Sequence, residues 1–339
     1  MDDNSRQLWR QLYFLAVTIA EFEPWDRFSE DLPFVMIQED QETSLFFSFL
    51  LPSSGQCAIA CYVGEGAYTT ARKLLTGKNP KEEPVFYLQT AMIALWGDRE
   101  EVSSANRRRI KDLGIRCRGK GGWLHFQSFR PGLAPEDLTE EQATLLRDGL
   151  GNLLMMVQAA AQGKLPVNQK AGDFIMRFYD PDDRLYHTGV FPHMEFDQET
   201  FDEVLLDEDD FTRQLKAMPN RAYDLEIDWS YLSTPMKKGR KKFFPRLLLL
   251  TDGGTGHVYR SELLSPQEDI YNQVLNLLGE HIEASGKPRR LLVCDQALAG
   301  YVQDFCRVVD LPMVQRKNLP ETNRARKFLL AQLLSQDEY

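Results

Sequence analysis

The chain contains no C-x-x-C pair, and its five cysteines (Cys57, Cys61, Cys117, Cys294 and Cys306) are odd in number, four of them inside apolar runs. That pattern argues against a disulfide framework and points to reduced thiols in a cytoplasm, packing as small hydrophobes. Long apolar runs are missing too. The longest near the start, Leu12 to Ala20, is too short to cross a bilayer and follows Met1-Asp2-Asp3 rather than a basic stretch, so neither a membrane span nor a secretory signal is expected. An excess of positive charge is absent: the formal net charge is −10, which excludes a surface that coats nucleic acid throughout. No G-x-S-x-G elbow, G-x-x-x-x-G-K-[ST] loop or H-E-x-x-H pair occurs, and no fixed-period repeat or low-complexity tract interrupts the chain.

What is present is a core-forming composition. With 339 residues, 43% hydrophobic and 11% aromatic, the chain can bury a sizeable interior and is long enough for two domains. Leu8, Leu12, Leu15, Ile19 and Phe22 recur at spacings of four and three and predict an amphipathic helix over 5–22. Apolar runs at 33–38, 43–50 and 56–63 read as a meander of strands, followed by a helix at 66–76 and a strand at 85–96. Asp98 with Glu101 reads as the start of a helix that stops at Gly114; 122–129 is a strand, and Thr139 with Gln142 caps a helix to 162. An α+β N-terminal domain with a mainly antiparallel sheet is expected over 1–163. From 164 to 222 the pattern weakens into a partly structured connector, where nine Asp or Glu and no Lys or Arg fall between 195 and 210.

The last third, 223–339, has the order βββαβαβα. Strands are expected at 225–229, 247–251, 257–263, 289–294 and 312–316. Ser265-Pro266-Gln267-Glu268 reads as a capping box opening a helix that ends at Gly286, and further helices follow at 296–308 and from 320. Between the second and third strands lies Asp252-Gly253-Gly254-Thr255-Gly256. It reads as a hairpin turn whose three glycines supply φ > 0, since a phosphate-loop reading leaves 225–229 outside the sheet.

This order resembles the ribonuclease H-like fold, so an α/β domain of that kind is expected over about 225–335. The resemblance implies a possible two-metal site, of magnesium or manganese, held by carboxylates from the first strand, the end of the fourth strand and a helix. Asp228 and Asp295 stand at the two strand positions, and Glu321 is the best third carboxylate, with Glu262 or Glu268 as others. Each has a bland alternative: Asp295 as a helix N-cap, Glu268 as partner of Ser265, Glu321 three residues after Asn318.

Other groups are weaker. Lys237, Lys238, Arg240, Lys241 and Lys242 crowd one stretch that nucleic acid could use, and Arg107, Arg108, Arg109, Arg116, Arg118 and Lys120 form a second basic region. His187, His193 and Glu195 fit no common zinc spacing. The five tryptophans are scattered and read as core rather than as a stacking platform.

Two further stretches carry a whole-chain resemblance: Arg116-x-x-Gly119-Lys120 to Trp123 leading into Phe129-Arg130-Pro131-Gly132, and the leucine-rich Asp252-Gly253-Gly254 hairpin. With these the chain resembles a group of bacterial two-domain proteins known only as domains of unknown function. The expectation is a cytoplasmic, non-catalytic binding or interaction protein with a protein or small-molecule partner and no cofactor. The alternative is a divalent-metal-dependent nuclease or phosphodiesterase using Asp228, Asp295 and Glu321.

Overall fold

The computed structural model describes residues 2–38, 43–50, 57–75, 89–192, 209–232, 234–239 and 241–336. These divide into two compact units, the first reaching to residue 192 without Gly132–Ala134, the second comprising Gly132–Ala134 and the residues from 209 onward. Both are α+β, and most strand pairings are antiparallel.

The first unit runs α1 (Asp3–Ala20), α2 (Pro24–Arg27), β1 (Phe34–Ile37), β2 (Ser44–Leu50), β3 (Ala58–Val63), α3 (Glu65–Leu75), β4 (Ala91–Gly97), α4 (Ser104–Asp112), β5 (Trp123–Phe129), β6 (Glu136–Asp137), α5 (Glu140–Ala161), β7 (Phe174–Asp180) and β8 (Leu185–Phe191). Its eight-stranded sheet has the order β6-β5-β4-β3-β2-β1-β7-β8, with β1 and β7 parallel. Period-two alternation sends Phe47, Phe49, Ile59 and Cys61 to the face that carries α1 and α5. The intervening Phe46, Ala60 and Tyr62 go to the other, where Tyr68 and Ala71 of α3 meet them. Helix α5 starts at the expected capping box: the Thr139 hydroxyl accepts from the Gln142 N–H at 3.2 Å, and the Gln142 side chain accepts from the Thr139 N–H at 3.1 Å.

Two expectations need correction here. Asp98 does not cap α4, because its carboxylate accepts from the Gly121 N–H at 2.7 Å; Ser103 caps the helix instead, accepting from the Asn106 N–H at 3.0 Å. The stretch 164–222 is not a connector throughout. Residues 174–191 supply β7 and β8, and β7 pairs with β1 from Phe34↔Ile175 to Ile37↔Phe178, a partner too distant in sequence for local pattern to reveal.

The second unit runs α6 (Asp210–Ala217), β9 (Asp224–Tyr231), β10 (Met236–Lys238), β11 (Lys241–Phe243), β12 (Arg246–Asp252), β13 (Val258–Leu264), α7 (Ile270–Ser285), β14 (Arg290–Val293), α8 (Gln296–Val308), β15 (Met313–Gln315) and α9 (Pro320–Gln336). Its five-stranded sheet has the order β13-β12-β9-β14-β15; β12 is antiparallel to both neighbours, whereas β9, β14 and β15 are parallel. The whole of β12 is buried, as its four leucines require. Leu248 and Leu250 face the core shared with α7 and α8, and Leu247 and Leu249 face the small cluster that includes Ala325 of α9. Each such leucine contributes about 1.5–3 kcal/mol relative to an exposed one.

Residues 252–257 form the expected hairpin, the Asp252 N–H donating to the His257 carbonyl at 2.8 Å. Of its glycines, Gly256 has φ +75° and Gly253 and Gly254 do not lie in that region. Gly253 is instead a point of close approach, since a Cβ there would lie 3.3 Å from the Asp224 carbonyl oxygen. The box at Ser265 is half formed: Glu268 accepts from the Ser265 N–H at 2.6 Å, but helix α7 begins later, capped by Asp269.

Candidate functional site

Strand β9 lies at the centre of its sheet and alternates cleanly. Leu225 and Ile227 enter the core shared with α7 and α8, with Trp229 packed beside them. The other face presents Glu226, Asp228 and Ser230, all buried, and α9 meets the first two of them with polar side chains. The Arg326 Nη2 donates to Asp228 Oδ2 at 2.5 Å, and both side chains are shielded, 7% and 2% exposed. Arg326 Nη1 also donates to the Asn323 side chain at 3.0 Å. Glu226 Oε2 accepts from the Thr322 N–H at 2.8 Å and from its hydroxyl at 3.0 Å, so a side chain on the sheet caps the first turn of α9. Burial pushes the Glu226 carboxyl above its ordinary value despite those two donors. Ser230 Oγ on β9 and Thr251 Oγ1 on β12 are buried without a hydrogen-bond partner among the described residues, as is Arg326 Nε.

The residues singled out in the sequence are therefore committed as follows. Asp228 forms an ion pair with Arg326. Asp295 caps α8, accepting from the Leu298 N–H at 3.0 Å. Glu321 pairs with Arg324 at 2.8 Å. The register sets Ile227 opposite Val293, so Asp228 follows one residue later within β9 and Asp295 lies two residues beyond the end of β14. As arranged, a guanidinium pairs with Asp228, another with Glu321, and Asp295 is taken up by a helix cap. Among the described residues, the group of three acidic or histidine side chains close enough to share an ion is Asp180, Asp183 and His187, at the exposed β7–β8 turn. His187 Nε2 lies 2.7 Å from Asp183 there, and the expected neighbours His193 and Glu195 lie outside the described residues.

The glycine loop is turned inward. The N–H groups of Gly254 and Thr255, which a phosphate cradle would direct at its ligand, both donate to Asp252 Oδ1, at 2.8 and 2.7 Å. Burial alone would raise the Asp252 carboxyl; these donors and the Tyr259 hydroxyl outweigh it and hold the group below its ordinary value. The basic stretch forms a hairpin, β10 with β11, whose register sets Lys237 opposite Lys242 and Lys238 opposite Lys241; Arg240 lies outside the described residues. Like charges directly opposite each other oppose pairing.

Sequence reasoning missed Glu226, Thr322 and Arg326. A signal was present: Thr322, Ala325, Arg326 and Leu329 recur at spacings of three, one and three, which sets a threonine and an arginine on an otherwise apolar helical face.

With this geometry in hand, the chain is a two-domain α+β protein, and no described helix is long and apolar enough to cross a membrane. Residues 9–177 match a family model described as Domain of unknown function (DUF7309), and residues 212–330 match one described as Domain of unknown function (DUF6930). No curated protein matches the chain.

Proposed function

We propose that the chain is a cytoplasmic, non-catalytic binding or interaction protein whose C-terminal unit is ribonuclease H-like, with an arginine where active relatives of that fold would place a metal. With the separate β10–β11 hairpin set aside, the order βββαβαβα of the five-stranded sheet and its helices supports the fold reading, and so does the flanking of the first of those strands, β9, by the second and the fourth. The single observation that carries the functional reading is the buried Arg326–Asp228 pair. An arginine that donates from within hydrogen-bond reach supplies the positive charge Asp228 requires, and it leaves that carboxylate no incentive to take a second cation.

The strand order of the sheet favours one alternative, a divalent-metal-dependent nuclease or phosphodiesterase using Asp228, Asp295 and Glu321. Calorimetric titration with manganese separates the two. The proposed reading expects no specific site in the wild-type protein or in Asp228→Asn. Tight binding in the wild type that is lost in Asp228→Asn would overturn it in favour of the nuclease.

A further inference from the structure

In the N-terminal unit a cavity of about 160 Å³ opens where α3 crosses β2 and β3. It is lined by Tyr62 and Ser48 from the sheet, Tyr68 and Arg72 from α3, and Glu30 and Asp31 from the segment before β1. The volume exceeds the share of several waters, roughly 30 Å³ each. Its walls are firm: the Tyr68 ring stacks on Phe46 with centroids 4.8 Å apart and meets Tyr62 edge-on at 6.1 Å.

The Tyr62 hydroxyl sets the problem. Tyr62 is 0% exposed, and its hydroxyl has no hydrogen-bond partner among the described residues. A polar group buried this completely is normally bonded, so a ligand or ordered water is the expected completion. Burial, followed by the proximity of Tyr68, Cys61 and Glu30, pushes the phenol upward. It is thus a neutral donor whose oxygen end lies within electrostatic range of the Glu30 carboxylate. Glu30 and Asp31 together outweigh Arg72, so the lining carries an excess of negative charge beside two tyrosine rings. Carboxylates with aromatic rings favour an ammonium group, whereas water or a neutral polyol would gain nothing from that charge.

We propose that this cavity binds a small primary-amine compound that also bears a hydrogen-bond acceptor, the size of an amino alcohol or an amino acid. The ammonium lies toward Glu30 and Asp31, and the acceptor takes the hydrogen bond of Tyr62.

Saturation-transfer NMR on the full chain tests this with ethanolamine and glycine as probes and with ethylene glycol and acetate as amine-free controls. The amines should show transfer well above the controls. Tyr62→Phe keeps the ring and removes only the hydroxyl, so it should retain the thermal midpoint while weakening amine binding about fivefold or more. The exposed pair Glu30→Gln with Asp31→Asn, which leaves the core untouched, should abolish the preference for amines. The proposal is overturned if neither amine binds, which would make the cavity a water site only, if the controls bind equally, or if Tyr62→Phe binds the amines like the wild type.

Discussion

Replacing Arg326 by methionine would keep most of the side-chain volume on α9 and remove the cation that faces Asp228. The carboxylate is 2% exposed, so solvent cannot replace the lost donor unless the helix moves. Removing one partner of a buried pair takes away the charge that offsets the other's desolvation, and the expected loss is about 3–5 kcal/mol. Because the chain has two units, a single denaturation midpoint would mix them, and hydrogen exchange read peptide by peptide is the better assay. Protection in β9 and β12 should fall by roughly two to three and a half orders of magnitude, at about 1.4 kcal/mol per tenfold. Peptides from β2 and β5 should be unchanged. The double variant Asp228→Leu with Arg326→Met should recover to within about 1 kcal/mol of the wild type or exceed it, since apolar replacement of a buried pair is often neutral or stabilising. A single-variant loss under about 1 kcal/mol would show that Asp228 reaches water and that α9 does not seal it. A double variant as unstable as the single one would refute the desolvation argument itself.

Glu226→Gln tests the neighbouring contact. A carboxyl whose value is raised by folding binds its proton more tightly in the folded state, so its contribution to stability is present below the ordinary value of 4.5 and is lost as pH rises through the raised value. Glutamine keeps an acceptor for Thr322 without the charge, so the variant should gain stability over the wild type at about pH 7 and lose that advantage near pH 4; thermal midpoints at the two pH values would check it, and a variant less stable at neutral pH would contradict the sign. At the hairpin, Gly256→Ala should cost about 1–2 kcal/mol, because φ is +75° and the new Cβ would lie 2.5 Å from Glu321 Oε2. Gly253→Ala should cost less, having ordinary backbone geometry and a nearest approach of 3.3 Å. Equal shifts in a urea series would contradict the expectation that the positive φ of Gly256 makes it the costlier position.

Legibility in the sequence followed the range of the interaction. The Thr139–Gln142 box and the Asp295 cap close within three residues, and the residues around them sufficed to find both. Asp98 looked equally like a cap, yet its carboxylate is taken by a backbone N–H 23 residues away. The pattern at Leu247–Leu250 was enough to place β12 inside its sheet, because only a strand covered on both faces tolerates such a run. Strand β7 and the edge strand β8 carry a weaker pattern, with mostly half-buried positions, and their place was hidden until β1 supplied a partner. The candidate site was half visible. Asp228 was conspicuous as an acid within an apolar strand, but nothing local names Arg326 as its partner, and the Tyr62 cavity depends on three separated segments.

The Arg326–Asp228 contact joins positions 98 residues apart, and that distance has a meaning in time. At a synthesis rate of about 5–20 residues per second, β9 leaves the ribosomal tunnel roughly 5–20 s before the helix that completes it. Throughout that interval Asp228 lacks the guanidinium of Arg326, and the strand waits for the helix that completes the pair. The Arg326–Asp228 pair can therefore form only once the last helix of the unit has arrived.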